Sequence, residues 1–215
     1  MRFNAPRSHT VKRRTRRMTK AFIISPGHGK NTPGKRSPDS SLMEWEFNRR
    51  LAKRIVELAQ AQDIPVVCLD FEENDIPLAT RCSRANKYGK NTCYISVHGN
   101  AAGNGKTWMN ARGWCIYTSE GYTKADPIAN VFIEEADKLL PTIGSKVRKY
   151  KQKKYEMDQE ANFYVLAHTI MPAVLTENLF FDNHQDCEIM KSEKGIEVLA
   201  QIHVNAMKRI MEEGL

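Results

Sequence analysis

At 215 residues, with 41% apolar and 27% charged side chains, the chain suits one globular domain and can bury a sizeable core without disulfides. No apolar run approaches the ~18 residues that a membrane-spanning helix needs, which argues against an integral membrane protein. The formal charge of +8 is local: residues 1–20, MRFNAPRSHTVKRRTRRMTK, hold eight cations and no acid, which leaves 25 cations against 25 acids in the rest.

That basic stretch has too few apolar residues to fold alone and lacks the apolar segment of a secretory signal. It reads as a disordered arm, 1–20, preceding a single domain, 21–215. By charge it could hold to an anionic envelope surface, or it could be a solvated tail, with Met18 as the true start. A nucleic-acid role is disfavoured, because no nucleic-acid motif accompanies the arm and the neutral body offers no basic face.

From residue 21 short apolar runs alternate with helical patterns. AFIIS (21–25) reads as a buried strand, and Phe47, Leu51, Ile55 and Leu58 mark one face of a helix. PVVCLD (65–70) is a second strand, LATRCSRANKYG (78–89) a helix ending at Gly89, and CYISVH (93–98) and GWCIYT (113–118) are further strands. DPIANVFIEEADKLL (126–140) is a helix, PAVLTE (172–177) a strand, and Ile196, Leu199, His203, Met207 and Ile210 line a closing helix. Residues 146–162 show no apolar period and read as a surface loop over one end. The alternation implies an α/β fold, a single open, mainly parallel twisted sheet with helices on both faces. Five scattered cysteines without a CxxC pair read as core residues of a protein made in a reducing compartment.

In open parallel sheets, ligands collect at the carboxyl ends of the strands. His28 follows AFIIS in SPGHGK, His98 ends CYISVH, Glu177 ends PAVLTE, and Glu44 stands at the front of the first long helix. Two histidines and two carboxylates therefore converge on one rim. A catalytic zinc site takes three His or carboxylate ligands and keeps a fourth position open. His28, Glu44 and His98 could be those ligands, with Glu177 as acid/base. The glycines beside both histidines are expected to allow sharp turns and close approach of substrate. Taken singly, each histidine also fits a solvated or capping role, and Glu44 fits a helix-dipole partner.

The series SPGHG, EWEFNRRLA, SVHGNAA and PAVLTENLFFDN, in this order and spacing, resembles the zinc-dependent N-acetylmuramoyl-L-alanine amidases of the Amidase_3 family across residues 21 to 213. The resemblance implies that His28, Glu44 and His98 bind zinc and that Glu177 is the catalytic glutamate. It also matches Asn48, Arg81, Asn86 and Asn183 to recurrent positions without assigning them chemistry. The first motif departs from the family: Ser25 and Lys30 stand where Asp and Gly are usual. If the Asp orients a ligand, Ser25 can still hydrogen-bond but brings no charge.

The resemblance further implies a peptidoglycan substrate, cleaved between muramic acid and the L-alanine of the stem peptide. It implies a protein made in the cytoplasm that acts on the bacterial cell wall, as a phage-type endolysin or a bacterial autolysin; a zinc hydrolase of another amide is the alternative. Trp108, in a polar, Gly-rich stretch expected to be flexible, and His168, just before the last strand, are candidates for contact with substrate. For His168 the competing reading is a packing residue. His203 reads as a satisfied core histidine, and His184 and Asp186 as a solvated turn.

Overall fold

The computed structural model describes residues 19–148 and 158–215; most of the basic arm and the middle of the 146–162 segment lie outside the described residues. β1 (Ala21–Pro26) is apolar on both faces and can be satisfied only between two layers. It sits inside a six-stranded sheet of order β2-β1-β3-β6-β4-β5. β2 (Val66–Cys68), β3 (Thr92–Asn100) and β6 (Ala173–Phe180) run parallel with it. Phe22 and Ile24 face α1 (Glu44–Gln60), α3 (Ala125–Leu139) and α6 (Glu193–Glu213), which cover one side through Leu51, Ile55, Phe132 and Leu199. Ile23 faces the other way, onto α2 (Leu78–Asn86) and the short α4 (Tyr164–Ala167) through Cys82, Ala85, Val165 and Leu166.

Three features go beyond the expected elements. First, β4 (Cys115–Thr118) is the antiparallel member of this mainly parallel sheet, paired with β6. A parallel return needs a crossover, usually a helix, and the stretch between β3 and β4 contains none. Second, the 146–162 segment is more than a surface loop: Val147 bridges to Trp114, and Gln159–Glu160 forms β5, paired with β4 at the sheet edge. Third, His184 and Asp186 belong to an additional helix, α5 (His184–Lys191), rather than a solvated turn. Asn183 caps it, its side chain accepting from the backbone N–H groups of Gln185 and Asp186.

Asp186 is fully buried because it is needed as an acceptor. Its carboxylate takes the N–H of Gly113 at 2.6 Å, that of Phe180 at 3.2 Å and Nε of Arg112 at 3.2 Å, tying the entry to β4 against the end of β6. All five cysteines are free, and burial pushes Cys93 and Cys115 up to about 12.

His203 is buried between α6 and the sheet. Nδ1 lies 2.7 Å from the carbonyl of Leu199 and Nε2 lies 3.0 Å from Oγ1 of Thr176, so both nitrogens are used by the neutral ring. Burial lowers its pKa from 6.5 to about 4. The unfolded chain therefore takes up this proton first, and the stability held by the neutral ring is lost as pH falls from 6.5 toward 4, by about 3 kcal/mol. Urea midpoints are expected to drop across that window. His203→Asn should flatten the drop; an unchanged slope would mean the acid sensitivity lies elsewhere.

Candidate active site

The chain places β2 on one side of β1 and β3 on the other. The carboxyl ends of β1 and β3 are thus a topological switch point, where an open α/β sheet leaves a crevice. His28 lies two residues beyond β1, His98 near the end of β3, and Glu44 is the first residue of α1. One ligand atom from each lies within 4.8 Å of the others. Oε1 of Glu44 is 3.4 Å from Nε2 of His28 and 3.2 Å from Nδ1 of His98, and the two imidazoles meet edge to face at 4.9 Å.

Glu44 is fully buried, and its Oε2 accepts no hydrogen bond; the nearest cation is Nζ of Lys35, at 3.8 Å. An unsatisfied carboxylate oxygen in the interior is costly unless a cation takes it. Burial raises the Glu44 pKa, but the hydrogen bond with His98 and the electrostatic environment, which includes Lys35, outweigh it and hold the pKa below the usual carboxylate value. Burial lowers His28 to about 4, which leaves its nitrogen lone pair free at neutral pH. Two imidazoles and a carboxylate form a donor set that fits a divalent metal such as zinc with a position to spare.

Glu177 stands beside this group. It pairs with His98 across β3 and β6. Its Oε2 is buried without a hydrogen-bond partner, and burial first, then the charge of Glu44, push its pKa well above the usual carboxylate range.

The glycines do something other than turn. A Cβ on Gly27 would lie 1.9 Å from the His98 ring, one on Gly29 would lie 2.0 Å from the backbone nitrogen of Asp75, and one on Gly99 would lie 2.8 Å from Met190. They provide room for a ligand ring and for close backbone packing. The residue in the left-handed region is His28 itself, at φ 58°. Its carbonyl accepts from Nη1 of Arg49 at 3.0 Å and Nη2 of Arg81 at 3.5 Å, which hold the loop in that conformation.

Arg81 is buried and also donates to the carbonyl of Pro26 at 2.8 Å and to Oγ of Ser25 at 3.2 Å. Ser25 in turn donates to buried Asp70 at 2.8 Å, and Asp70 lies 3.7 Å from Arg81. These bonds of Ser25 thus run to Asp70 and Arg81 rather than to His28, Glu44 or His98, and Arg81 meets two carboxylates, Asp70 just beyond β2 and Asp75 at 3.1 Å. Two further polar residues steady the site. Asn48 donates to the carbonyl of Gly27 at 3.1 Å and to Oε1 of Glu44 at 3.4 Å. Asn178 donates to the carbonyl of His98 at 3.1 Å and accepts from Nε1 of Trp114 at 2.9 Å. Arg49 and Asn178 escaped the sequence reading; the visible signal for Asn178 was a polar residue inside the apolar run of β6.

Trp108 lies on the rim side, but one face of its ring is taken by His184, stacked at 3.7 Å. Its loop is tied down rather than loose: the N–H groups of Ala102 and Gly103 donate to Asp182 at 2.9 and 2.8 Å, and that of Met109 to the Asp182 carbonyl at 2.7 Å. His168 does not join the group. It precedes β6, at the opposite edge of the sheet from Glu177, stacked on Tyr164 at 3.9 Å with its carbonyl bonded to Asn86. Its side chain packs and lines a surface groove beside α2.

Residues 22–209 match the family model Amidase_3, described as N-acetylmuramoyl-L-alanine amidase. The chain belongs to the Amidase_3 family. It is 30% identical over 192 residues to the N-acetylmuramoyl-L-alanine amidase CwlM of Bacillus licheniformis, covering 89% of this chain and 68% of that protein. It is 26% identical over 196 residues to the endolysin of Bacillus phage SPP1, covering 90% and 67%. Among solved structures, the N-acetylmuramoyl-L-alanine amidase from Clostridium difficile 630 superposes with a TM-score of 0.75 at 25% identity, over 91% of this chain and 98% of that one. As an Amidase_3 member the protein is a peptidoglycan amidase with an α/β fold. No helix among its described residues is long and apolar enough to cross a membrane.

Proposed function

We propose that this amidase hydrolyses the amide between the muramic acid lactyl group and the stem-peptide L-alanine, with zinc held by His28, Glu44 and His98 and with Glu177 as the catalytic acid/base. The observation that supports it is the rim itself: three converging candidate ligands, one with an unsatisfied buried oxygen, beside Glu177, whose Oε2 is likewise buried without a partner. Bound zinc supplies a Lewis acid that polarises the scissile carbonyl and renders a water acidic near neutral pH.

The protein's own part follows from the geometry. The neutral His28 ring and the ionised Glu44 carboxylate are ready to ligate without first shedding protons. As the carboxylate, Glu177 accepts the attacking water's proton; burial and the charge of Glu44 raise its affinity for that proton, which it holds and then returns to the departing amine nitrogen. The products are glycan and a free stem peptide. Asn48, Asn178, Arg49 and Arg81 hold the ligand-bearing backbone in register.

Zinc content, measured together with amine release from purified peptidoglycan, tests the ligand set. Wild type is expected to hold one zinc and release amine, and His28→Ala to lose both; a fully loaded, active variant would remove His28 from the site. We also infer that the cations of residues 1–20 favour an anionic envelope and place the enzyme's action at the cell wall. In the same assay, deleting residues 1–18 is expected to lower the rate on whole walls at low salt and to have no effect at high salt. Equal rates at low salt would leave the arm without that role.

A further inference from the structure

Between β1 and α1 the chain walls a cleft of about 210 Å³ beside the proposed metal ligands, lined in part by Lys30, Thr32, Lys35, Arg36, Met43 and Trp45. Its wall is tied in place. Thr32 accepts the N–H of Gly29 at 3.0 Å and donates to Asp75 at 2.7 Å, Arg36 bridges to Met43, and the Lys35 carbonyl accepts the N–H of Glu44 at 2.9 Å. Trp45 is steadied by Arg49, whose guanidinium lies 5.4 Å from the ring centre.

Three cations meet in this cleft with little to balance them. Lys30 reaches Glu73 at 3.8 Å, with both side chains well exposed, a pairing that water screens. The side chain of Arg36 has no hydrogen bond or ion pair among the described residues. Lys35 reaches Glu44 at 3.8 Å, and its side chain is 41% exposed. Glu44 is the carboxylate assigned above to the metal. A divalent cation held there opposes a second positive charge at such range, so Lys35 is left without a carboxylate in the loaded enzyme.

We propose that this cleft is a subsite for a carboxylate of the stem peptide, carried by the residue that follows the L-alanine. The inference rests on the amidase reading. The second residue lies within ~7 Å of the scissile amide at ~3.3–3.6 Å per residue, and the cleft adjoins the proposed ligand cluster through Lys35, which lines it and reaches Glu44 at 3.8 Å. In a γ-linked glutamate the free α-carboxylate is that group, and its carboxamide is the neutral counterpart of nearly the same shape. The subsite therefore distinguishes peptidoglycan with a free second-position carboxylate from peptidoglycan in which it is amidated.

The test uses the full zinc-loaded chain and two synthetic tripeptides, L-alanyl-γ-D-glutamyl-L-lysine with the glutamyl α-carboxyl free or as carboxamide, titrated by calorimetry. The carboxylate form is expected to bind about tenfold more tightly, the gap to shrink with salt, and the Lys35→Met/Arg36→Met double variant to abolish it. Equal affinities in the wild type, or a preference that survives in the double variant at an unchanged melting temperature, overturn the subsite. Amine release from peptidoglycan is measured separately. A protein that keeps the tenfold preference but releases no amine contradicts the amidase reading and leaves the carboxylate subsite standing.

Discussion

Glu177→Gln is expected to leave one zinc bound and to lower amine release from peptidoglycan by about 10²–10⁴-fold, the usual loss when a positioned general acid/base is removed. Glutamine keeps the shape of the side chain and cannot accept or return the water's proton. The proposed ligands His28, Glu44 and His98 do not depend on it, since none of the hydrogen bonds found for them among the described residues runs through Glu177. The substitution also removes a half-buried acid whose Oε2 is buried without a hydrogen-bond partner, so stability is expected to hold or rise slightly. Metal analysis, a melting curve and the amine assay on the same preparation check all three points. A variant with full zinc and more than about a tenth of wild-type turnover would exclude Glu177 as the proton carrier.

The second large effect falls on stability. Asp186→Ala is expected to cost about 3 kcal/mol, because it strands the buried N–H groups of Gly113 and Phe180 and leaves Arg112 without its carboxylate. For a chain of this size that corresponds to a fall in melting temperature of about 6–12 °C. Asp186→Asn retains one acceptor oxygen and should cost clearly less. Because α5 begins with His184, whose ring stacks on Trp108, the loss should also loosen the rim, seen as quicker hydrogen exchange at residues 101–109. A loss below about 1 kcal/mol would show that the donors find water instead.

Neither prediction was accessible in the same way. Glu177 could be read from the chain, because an apolar, β-branched run ending in a carboxylate is a strand delivering a side chain to the rim, and rim positions are where open sheets bind. Asp186 could not. Its signal, an aspartate shortly after FFDN, is what a solvated turn also looks like; beyond the local N–H of Phe180, its donors, Gly113 and Arg112, come from the β4 entry that folds against it.

The alternation of apolar runs was enough to reach an α/β sheet with helices on both faces, because hydrophobic period is a local property that each segment carries alone. It was enough also to bring His28, Glu44, His98 and Glu177 to one edge. The direction of β4, the pairing of β5 and the existence of α5 were settled by tertiary contacts, since strand direction depends on which neighbour a segment meets and no period of its own records that. The same holds for Gly27. In the sequence it is a glycine beside a histidine, free to turn; in the fold it is a glycine because a histidine 71 positions away occupies the space of its missing side chain. What a residue can do chemically is written in its type, and what it must leave room for is decided by the chain that folds against it.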